Sequence, residues 1–294
     1  MSEPLFERHA RTLTLAEIAA LTGAAPPPAP LQARAIGDAA PLDRASPNAI
    51  TFLDNRADAA SAAACHAGAC LTTAALAQSL PERVVALVVS NPFGAFVDVA
   101  RALFPDALRP SSLAEAGSTA GANVHPSARL ESGVTVEPGA VIGPRAEIGG
   151  STTVGATAVI GTDVRIGRDC AIGAGAVIAH ALIGDRVTIG SGCRIGQDGF
   201  GVVLGTTRKM PQVGRVIVQD GVEIGAGTTI DRGGIGDTVI GEGSKIDNLV
   251  QVGQNASIGR HCIVAAQAGI PGCAALEDHA MLGARENLDP KRGG

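Results

Sequence analysis

The sequence contains no tryptophan and no tyrosine, and aromatic residues make up only 2% of its 294 positions. Ordinary globular cores rely on aromatic side chains for much of their buried surface. A chain of this length can bury a sizeable core, so this core must be built from small and aliphatic side chains. Together with 39 glycines, the composition favours a thin, repetitive architecture.

Several further absences exclude classes of protein. The formal net charge is −5, which gives no electrostatic reason to expect nucleic acid or an anionic membrane surface as a partner. No apolar run approaches the roughly 20 residues that a membrane-spanning helix needs. The charged N-terminus lacks an apolar segment, so we expect no signal peptide. The six cysteines form no CxxC pair or zinc-type spacing, and we expect small buried thiols in a reducing cytoplasm.

The first 105 residues have mixed α/β character. Residues 13–24 predict an amphipathic helix with Thr14 as its N-cap, stopped by the prolines that follow it. Residues 48–55 predict a short strand, residues 83–90 a buried strand, and residues 91–105 a helix. We therefore divide the chain into four parts: an N-terminal α/β domain (1–105), a linker (106–122), a repeat domain (123–288) and an irregular tail (289–294).

The repeat domain has a period of six residues. An aliphatic residue recurs every six positions from Val124 to Leu282, with a few five-residue steps and a longer insertion over about 199–217. The next residue is usually glycine, and the fifth position is usually small. This pattern is the hexapeptide signature of a parallel β-helix, in which each aliphatic side chain points into a narrow prism. We expect glycine to relax the backbone at the corners and coils to stack at about 4.8 Å.

Several segments carry a more specific resemblance. They are LTLAEIA and ITFLDN in the N-terminal part, followed by IGQDGFG (195–201), PQVGRVIV (211–218), VEIGAGTTIDRG (222–233) and KIDNLVQVGQN (245–255). Taken in this order, they closely resemble the UDP-3-O-(3-hydroxyacyl)glucosamine N-acyltransferases of lipid A biosynthesis, over about residues 13–283. The resemblance implies a left-handed, homotrimeric β-helix with three hexads per turn and a cytoplasmic location.

The resemblance also implies a reaction. A 3-hydroxyacyl group would pass from the phosphopantetheine arm of acyl carrier protein to the 2-amine of UDP-3-O-acylglucosamine. The active sites would lie in grooves between neighbouring subunits. No metal and no cofactor of the enzyme's own would be needed.

The family's catalytic residues match three positions. The position of the base histidine is Gln254, which cannot take up a proton near neutral pH. The supporting carboxylate matches Asp247, and the oxyanion amide matches Gly272. The repeat supports the last match independently, because Gln254 and Gly272 are both third in their hexads and 18 residues apart. We therefore expect them one coil apart at one corner, with about 5 Å between their backbones.

The expected substrate contacts lie in both domains. Beside the catalytic segment, Asn248 and Gln251 are predicted to contact substrate. In the N-terminal domain, Phe52 matches an aromatic that stacks on uracil, and Asn55 matches a polar contact to the base. The second stacking aromatic is replaced by Asp58, and a lost stacking partner is worth on the order of 1–3 kcal/mol. Near the C-terminus, a second functional histidine of the family would align near Lys291, in what reads as a shortened, charged tail.

Structural roles without substrate contact also remain open at these positions. Asp247 could cap backbone amides at a corner, and Phe52 could belong to an ordinary core. Asp231 and Arg232 could contact the acceptor or form a corner ion pair. Two other functions also remain: a catalytically inactive trimer that still binds sugar nucleotide or acyl carrier protein, and a zinc enzyme of the carbonic anhydrase type. The second would use His261 and His279, which are 18 residues apart and should stack on one face.

Overall fold

The structure, a computed structural model, describes residues 11–55, 58–108, 121–203 and 205–288, without the side chains of residues 59, 60 and 106. The predicted tail 289–294, with Lys291, and most of the predicted linker lie outside the described residues. The chain divides into two units, Met1–Leu108 and Arg109–Gly294. No helix of the described part is long and apolar enough to cross a membrane.

The N-terminal unit alternates short strands and helices. Its elements are β1 (Leu13–Thr14), α1 (Leu15–Thr22), α2 (Ala29–Gln32), β2 (Ala35–Ile36), β3 (Asp38–Ala39), β4 (Ala49–Leu53), α3 (Ala59–Ala63), β5 (Ala69–Thr72), a 3₁₀ turn (Ala77–Ser79), β6 (Val85–Val88), α4 (Pro92–Leu103) and a second 3₁₀ turn (Pro105–Leu108). Strands β3, β4, β5 and β6 form one parallel sheet in that order. Helices α1 and α4 contribute Leu15, Ile18, Val99 and Leu103 to the core beside this sheet.

Helix α1 shows how the local sequence sets its ends. Thr14 caps it as predicted: its hydroxyl accepts from the Glu17 N–H, and the Glu17 carboxylate accepts from the Thr14 N–H at 2.7 Å. The helix ends at Gly23, whose φ of 70° lies in the left-handed region. The prediction that the following prolines stop the helix is therefore wrong, because the glycine ends it first.

Strand β6 differs from its prediction as a buried strand. It lies at the edge of the parallel sheet, and only Leu87 of its four residues is buried. Its run of aliphatic residues reads like a central strand, but an edge strand has a neighbour on one side only. The central strand β5, in contrast, is buried at every position.

The C-terminal unit is a parallel β-helix with three faces of eight strands each. The first face contains β7 (Asn123–Val124), β10 (Val141–Ile142), β13 (Val159–Ile160), β16 (Val177–Ile178), β19 (Arg194–Gln197), β22 (Thr229–Asp231), β25 (Gln251–Val252) and β28 (Gly269–Ile270). The second contains β8 (Arg129–Leu130), β11 (Glu147–Ile148), β14 (Arg165–Ile166), β17 (Ala181–Ile183), β20 (Val216–Val218), β23 (Thr238–Ile240), β26 (Ser257–Ile258) and β29 (Ala275–Leu276). The third contains β9 (Thr135–Val136), β12 (Thr153–Val154), β15 (Ala171–Ile172), β18 (Thr188–Ile189), β21 (Glu223–Ile224), β24 (Lys245–Ile246), β27 (Ile263–Val264) and β30 (Met281–Leu282).

The stacking follows the predicted register. On the first face, Ile160 pairs with Ile178, and Ile195 pairs with Ile230 although the long insertion separates them in the chain. These aliphatic side chains are almost fully buried and form one continuous core along the prism. Because each strand pairs with the strands of the coils above and below, three successive hexads make one turn, as the resemblance implied.

Glycine has two roles at the corners. Gly175 (φ 66°) and Gly227 (φ 68°) adopt the left-handed backbone conformation there, as predicted. The glycines that follow the aliphatic position allow close approach between coils: a Cβ on Gly173 would lie 2.5 Å from the Ser191 nitrogen. The residues with positive φ stand two positions later and are often not glycine, as with Asn255 (φ 60°) and Cys273 (φ 63°). Non-glycine residues at the corners thus adopt a strained backbone conformation, while the glycine after the aliphatic residue allows neighbouring coils to approach closely.

The cysteines are buried with one exception. Cys65, Cys70, Cys170, Cys193 and Cys262 are buried, whereas Cys273 is exposed, so the prediction of buried thiols is wrong for Cys273. It occupies the positive-φ position of a corner, from which its side chain points outward. Burial raises the pKa of the Cys70 thiol to about 12.

Candidate functional site

Gln254 and Gly272 lie against each other at one corner of the β-helix. Gln254 follows β25 and Gly272 follows β28, the next strand of the first face. The Gln254 carbonyl accepts a hydrogen bond from the Cys273 N–H at 2.9 Å. A Cβ built on Gly272 would lie 2.9 Å from Nε2 of Gln254. The structure thus confirms the predicted stacking, while the catalytic roles stay predictions.

A second glycine flanks the Gln254 side chain. Gly199 belongs to the insertion that follows β19, and a Cβ on it would lie 2.7 Å from Oε1 of Gln254. The carboxamide therefore lies close to two glycines, Gly199 and Gly272, and neither position has room for a Cβ. We call the place of this side chain the slot between Gly199 and Gly272.

The Gly272 amide differs from many equivalent amides in the β-helix. Amides at the third hexad position often donate to a side-chain oxygen of a neighbouring coil, as Ala156 does to Glu137 at 2.8 Å and Arg260 to Asp278 at 2.7 Å. Within the described residues, no side-chain oxygen accepts from the Gly272 amide. A backbone N–H without such a cap can donate to an oxyanion.

Asp247 and Asn248 lie at a different corner, after β24 of the third face. Oδ1 of Asp247 accepts from the Asn248 N–H at 2.7 Å, and Oδ1 of Asn248 accepts from the Ala226 N–H at 2.7 Å. These hydrogen bonds cap backbone amides, which is the structural role that the sequence left open for Asp247. The turns after β24 and β25 are successive corners of one coil, so the corner that holds Asp247 is not the one that holds Gln254.

Gln251 belongs to a polar cluster on the first face, below the Gln254 corner. Its Nε2 donates to Oδ2 of Asp231 at 3.1 Å, and its Oε1 accepts from the Thr229 hydroxyl. From the opposite side, Nε2 of Gln197 donates to Oδ1 of Asp231 at 2.7 Å. Burial raises the pKa of the Asp231 carboxyl, and the two carboxamide donors oppose that rise in part.

The sequence interpretation missed the partners of Asp231. The proposed ion pair with Arg232 is wrong, because the Arg232 guanidinium donates to the Gly214 carbonyl at 2.8 Å and lies 3.9 Å from Asp198. The sequence signal was present, since Asp231 stands where most hexads have glycine. Its partner Gln197, however, lies on the far side of the long insertion and cannot be found from the six-residue period.

The predicted uridine contacts lie in the N-terminal unit. Phe52 and Asp58 line one groove, together with Pro41, Leu42, Asp43, Asp54 and Ser61. Asp58 is exposed at the start of α3, and its N–H donates to the Asn55 carbonyl at 3.2 Å. The groove thus presents one aromatic ring among three carboxylates.

The ring of Phe52 is supported by α4. The Phe96 ring lies 5.0 Å from it and the Phe93 ring 5.3 Å, in tilted arrangements. Phe52 is partly buried and packs on the core of the unit. These contacts, which the sequence interpretation missed, hold the ring in a fixed orientation at the groove.

His261 and His279 stack as the 18-residue spacing predicts. Their ring centroids are 5.3 Å apart and the rings are inclined by 21°. They stand at the second corner, away from Gln254. Among the described residues, no group of three or more His, Cys, Asp or Glu side chains is arranged to hold a metal ion.

Comparison with known proteins gives family matches in both units. The family model described as UDP-3-O-(3-hydroxymyristoyl) glucosamine N-acyltransferase, LpxD, matches residues 33–102. The bacterial transferase hexapeptide model matches residues 145–180, 163–197 and 237–272.

Similar proteins over almost the whole chain are named as acyltransferases of one kind. The UDP-3-O-acylglucosamine N-acyltransferase of Methylobacterium sp. strain 4-46 is 51% identical over 96% of this chain and 81% of its own. UDP-3-O-acylglucosamine N-acyltransferase 2 of Rhodopseudomonas palustris strain BisB18 is 54% identical over 99% of this chain and 79% of its own. Among solved structures, a UDP-N-acetylglucosamine acyltransferase of Bacteroides fragilis aligns at 25% identity over 56% of each chain, with a TM-score of 0.43.

Proposed function

Because this chain belongs to the UDP-3-O-acylglucosamine N-acyltransferase family, we propose that it moves a 3-hydroxyacyl group from acyl carrier protein to the 2-amine of UDP-3-O-acylglucosamine in lipid A biosynthesis. The observation that carries the proposal is identity of about half over almost the whole chain. The stacking of Gln254 on Gly272 supports that corner as the proposed place of the reaction.

The reaction needs three events at that corner. The amine nitrogen attacks the thioester carbonyl, forming a C–N bond while the carbonyl π electrons move onto oxygen. The Gly272 N–H donates to the resulting oxyanion. The intermediate collapses as the C–S bond breaks, the phosphopantetheine thiolate leaves, and a proton passes from nitrogen to sulfur through a base. The products are an amide and a free thiol.

Gln254 is the residue of this site that departs from the chemistry the reaction needs. A histidine in the slot between Gly199 and Gly272 would accept the proton near neutral pH, whereas a carboxamide cannot. Gln254 can still donate Nε2–H or accept at Oε1 and so orient the reacting groups. We propose that the enzyme is active but slower than a form with histidine at this position.

Further parts of the proposal come from the family resemblance. The β-helix acts as a homotrimer in the cytoplasm, and Asp247 of one copy approaches the Gln254 corner of another copy. That arrangement agrees with the separation of the two corners within one coil. The acyl donor brings its own phosphopantetheine, so the enzyme binds no cofactor of its own. The N-terminal groove at Phe52 holds the uridine of the acceptor, with Asn55 and Asp58 beside it. In the β-helix, Asn248 and Gln251 contact substrate.

The test is product formation by the native chain under single-turnover conditions. The chain is mixed with 3-hydroxyacyl carrier protein and UDP-3-O-acylglucosamine, and the nucleotide is followed by mass spectrometry. We expect a mass increase of one 3-hydroxyacyl group, and none with an acceptor whose 2-amine is already acetylated.

Two other results would identify the alternatives. Binding of the acceptor without any transfer would contradict the proposed function and favour the inactive binding protein. Stoichiometric zinc with carbon dioxide hydration would favour the carbonic anhydrase type.

A further inference from the structure

The proposed reaction releases a proton that Gln254 cannot accept, so another group near this corner must act as the base. Among the described carboxylates around it, Asp198 and Asp237 form ion pairs with Lys209 at 2.5 Å and Arg215 at 2.8 Å. These cations lower the pKa of both carboxyls, which makes them poor proton acceptors near neutral pH. Asp231 is different, because the hydrogen bonds to its carboxylate come from neutral carboxamides.

Asp231 is tied directly to the coil that carries Gln254. Ile230, the residue before Asp231, pairs with Val252, which stands two residues before Gln254. The Gln251 carboxamide of that same coil donates to Asp231. Because the flanking Ile230 points into the core and is fully buried, the Asp231 side chain points outward, on the face that leads to the Gln254 corner.

The surroundings of Asp231 can serve it in both charge states. The carboxylate accepts from Gln197 and Gln251. Oε1 of Gln197 is buried, and it has no hydrogen-bond partner within the described structure. Rotation of that carboxamide by about half a turn exchanges Nε2 and Oε1, so a protonated Asp231 could donate to the oxygen that is now unsatisfied. The Gln197 carboxamide can thus donate to the charged Asp231 and accept from the protonated one.

The charged groups around Asp231 are few and directed elsewhere. On β19, the Arg194 guanidinium donates to the Gly175 and Gly192 carbonyls. In the loop after β19, Asp198 pairs with Lys209. Directly after β22, Arg232 donates to the Gly214 carbonyl. On β25, the neighbouring side chain is the neutral Gln251. Burial therefore dominates over charge in raising the pKa of Asp231.

We propose that Asp231 is the catalytic proton acceptor of this enzyme, in place of the base that Gln254 cannot supply; the proposal rests on the proposed function. As the amine attacks, the N–H bond breaks and an O–H bond forms on the Asp231 carboxylate, while the carbonyl oxygen becomes the oxyanion. As the C–S bond breaks, Asp231 returns the proton to the leaving sulfur. The carboxylate is regenerated, and no other reactant is needed.

The experiment is a double-mutant cycle on the full chain. Single-turnover transfer is measured for the native chain, Asp231→Asn, Gln254→His and the double variant. In the native background, Asp231→Asn is expected to lower the rate by about 100-fold or more, the range of a general base. In the Gln254→His background, the same change should cost less than about tenfold, because the imidazole now takes the proton.

Folding and specificity are controlled separately. An asparagine at 231 can accept from Gln251 and donate to Oε1 of Gln197 after the same rotation, so we expect a stable fold, checked by circular dichroism and the unfolding temperature. Asp163→Asn is the matched control. It removes a carboxylate that pairs with Arg145 at 2.7 Å in an early coil, and the rate should not change.

The possible outcomes separate the two proposals. An equal loss from Asp231→Asn in both backgrounds would overturn the base role and leave Asp231 a structural residue. No transfer by the native chain but transfer by Gln254→His would uphold the family chemistry and overturn the Asp231 proposal. No transfer by either would overturn the proposed function itself. The pH profile gives a second readout: the native rate should fall with acid as Asp231 is protonated, and that limb should move toward about 6.5 in Gln254→His.

Discussion

Two carboxylates in the same β-helix, Glu131 in its early coils and Asp231 in its later ones, are held in opposite ways. Glu131 accepts from the Arg168 guanidinium at 2.8 Å and from the Gly150 N–H, and its pKa falls to about 2. Asp231 accepts only from the carboxamides of Gln197 and Gln251 in the described structure, and burial raises its pKa. The ion pair with Arg168 keeps Glu131 negatively charged, whereas Asp231 can take up and release a proton.

The difference extends to the coils around each residue. In the regular coils (123–194), ion pairs run along the second face, where Glu147 lies between Arg129 and Arg165. In the site coils (195–273), the period is broken by the long insertion, and amide groups gather around Asp231 and Gln254. Regular repeats thus build the scaffold, while interruptions of the repeat bring together residues that can carry out chemistry.

The largest expected effect concerns the core that both regions share. Ile160→Ala in the regular coils and Ile230→Ala in the site coils each remove a fully buried side chain, so each should lower the free energy of unfolding by about 2–5 kcal/mol. Urea unfolding measures this loss. Only Ile230→Ala should also slow transfer by the folded protein, because Ile230 supports Asp231. Equal rates for the two variants would contradict the division into scaffold and site.

The next effect concerns the N-terminal groove. Phe52→Ala should weaken UDP binding by about 1–3 kcal/mol, which is about 5–150-fold in Kd and measurable by calorimetry. Phe93→Ala is the matched control, because its exposed ring packs on Phe52 outside the groove and should cost less. Unchanged UDP affinity in Phe52→Ala would mean that the ring belongs only to the core.

The smallest effects are opposite pH dependences of stability. The folded pKa of Glu131 is lowered, so its contribution is present above about 4.3 and is lost as the pH falls toward about 2. Glu131→Gln should therefore be less stable than the native chain at neutral pH, with a difference that shrinks in acid and in salt. Thermal unfolding across pH measures this difference.

For Asp231 the sign is reversed. Its folded pKa is raised, so the folded state holds the proton more tightly than the unfolded state does, and native stability falls as the pH rises through the folded value. Asp231→Asn should gain stability relative to the native chain as the pH rises toward neutrality. Parallel pH curves for the two variants would show that the two carboxylates do not differ as described.

The sequence predicts the β-helix well because its signal is local and repeated. Once the six-residue period is known, the stacking of Gln254 on Gly272 and of His261 on His279 follows from spacing alone. The six-residue period does not predict the hydrogen bond between Gln197 and Asp231, because an insertion of irregular length separates their two strands. The sequence interpretation also misjudges β6, since aliphatic composition does not reveal whether a strand lies at the edge of a sheet.

The corners show a similar limit. The aliphatic residue of a hexad is usually followed by glycine, but the structure is needed to show that close coils, rather than backbone freedom, require it at Gly173. The six-residue period also does not reveal that Cys273 is exposed, because its exposure results from the positive φ of its backbone. Side-chain direction at a corner depends on the backbone there, and composition does not encode it.

The central claim is that the site coils hold a working acyl-transfer corner in which the base has been displaced from position 254. The most direct test compares single-turnover transfer by the native chain with transfer by Gln254→His, whose imidazole would lie between Gly199 and Gly272. We expect measurable transfer by the native chain and a gain of about 100-fold in the variant. A variant no faster than the native chain would contradict this, because the side chain at position 254 would then not limit the transfer rate.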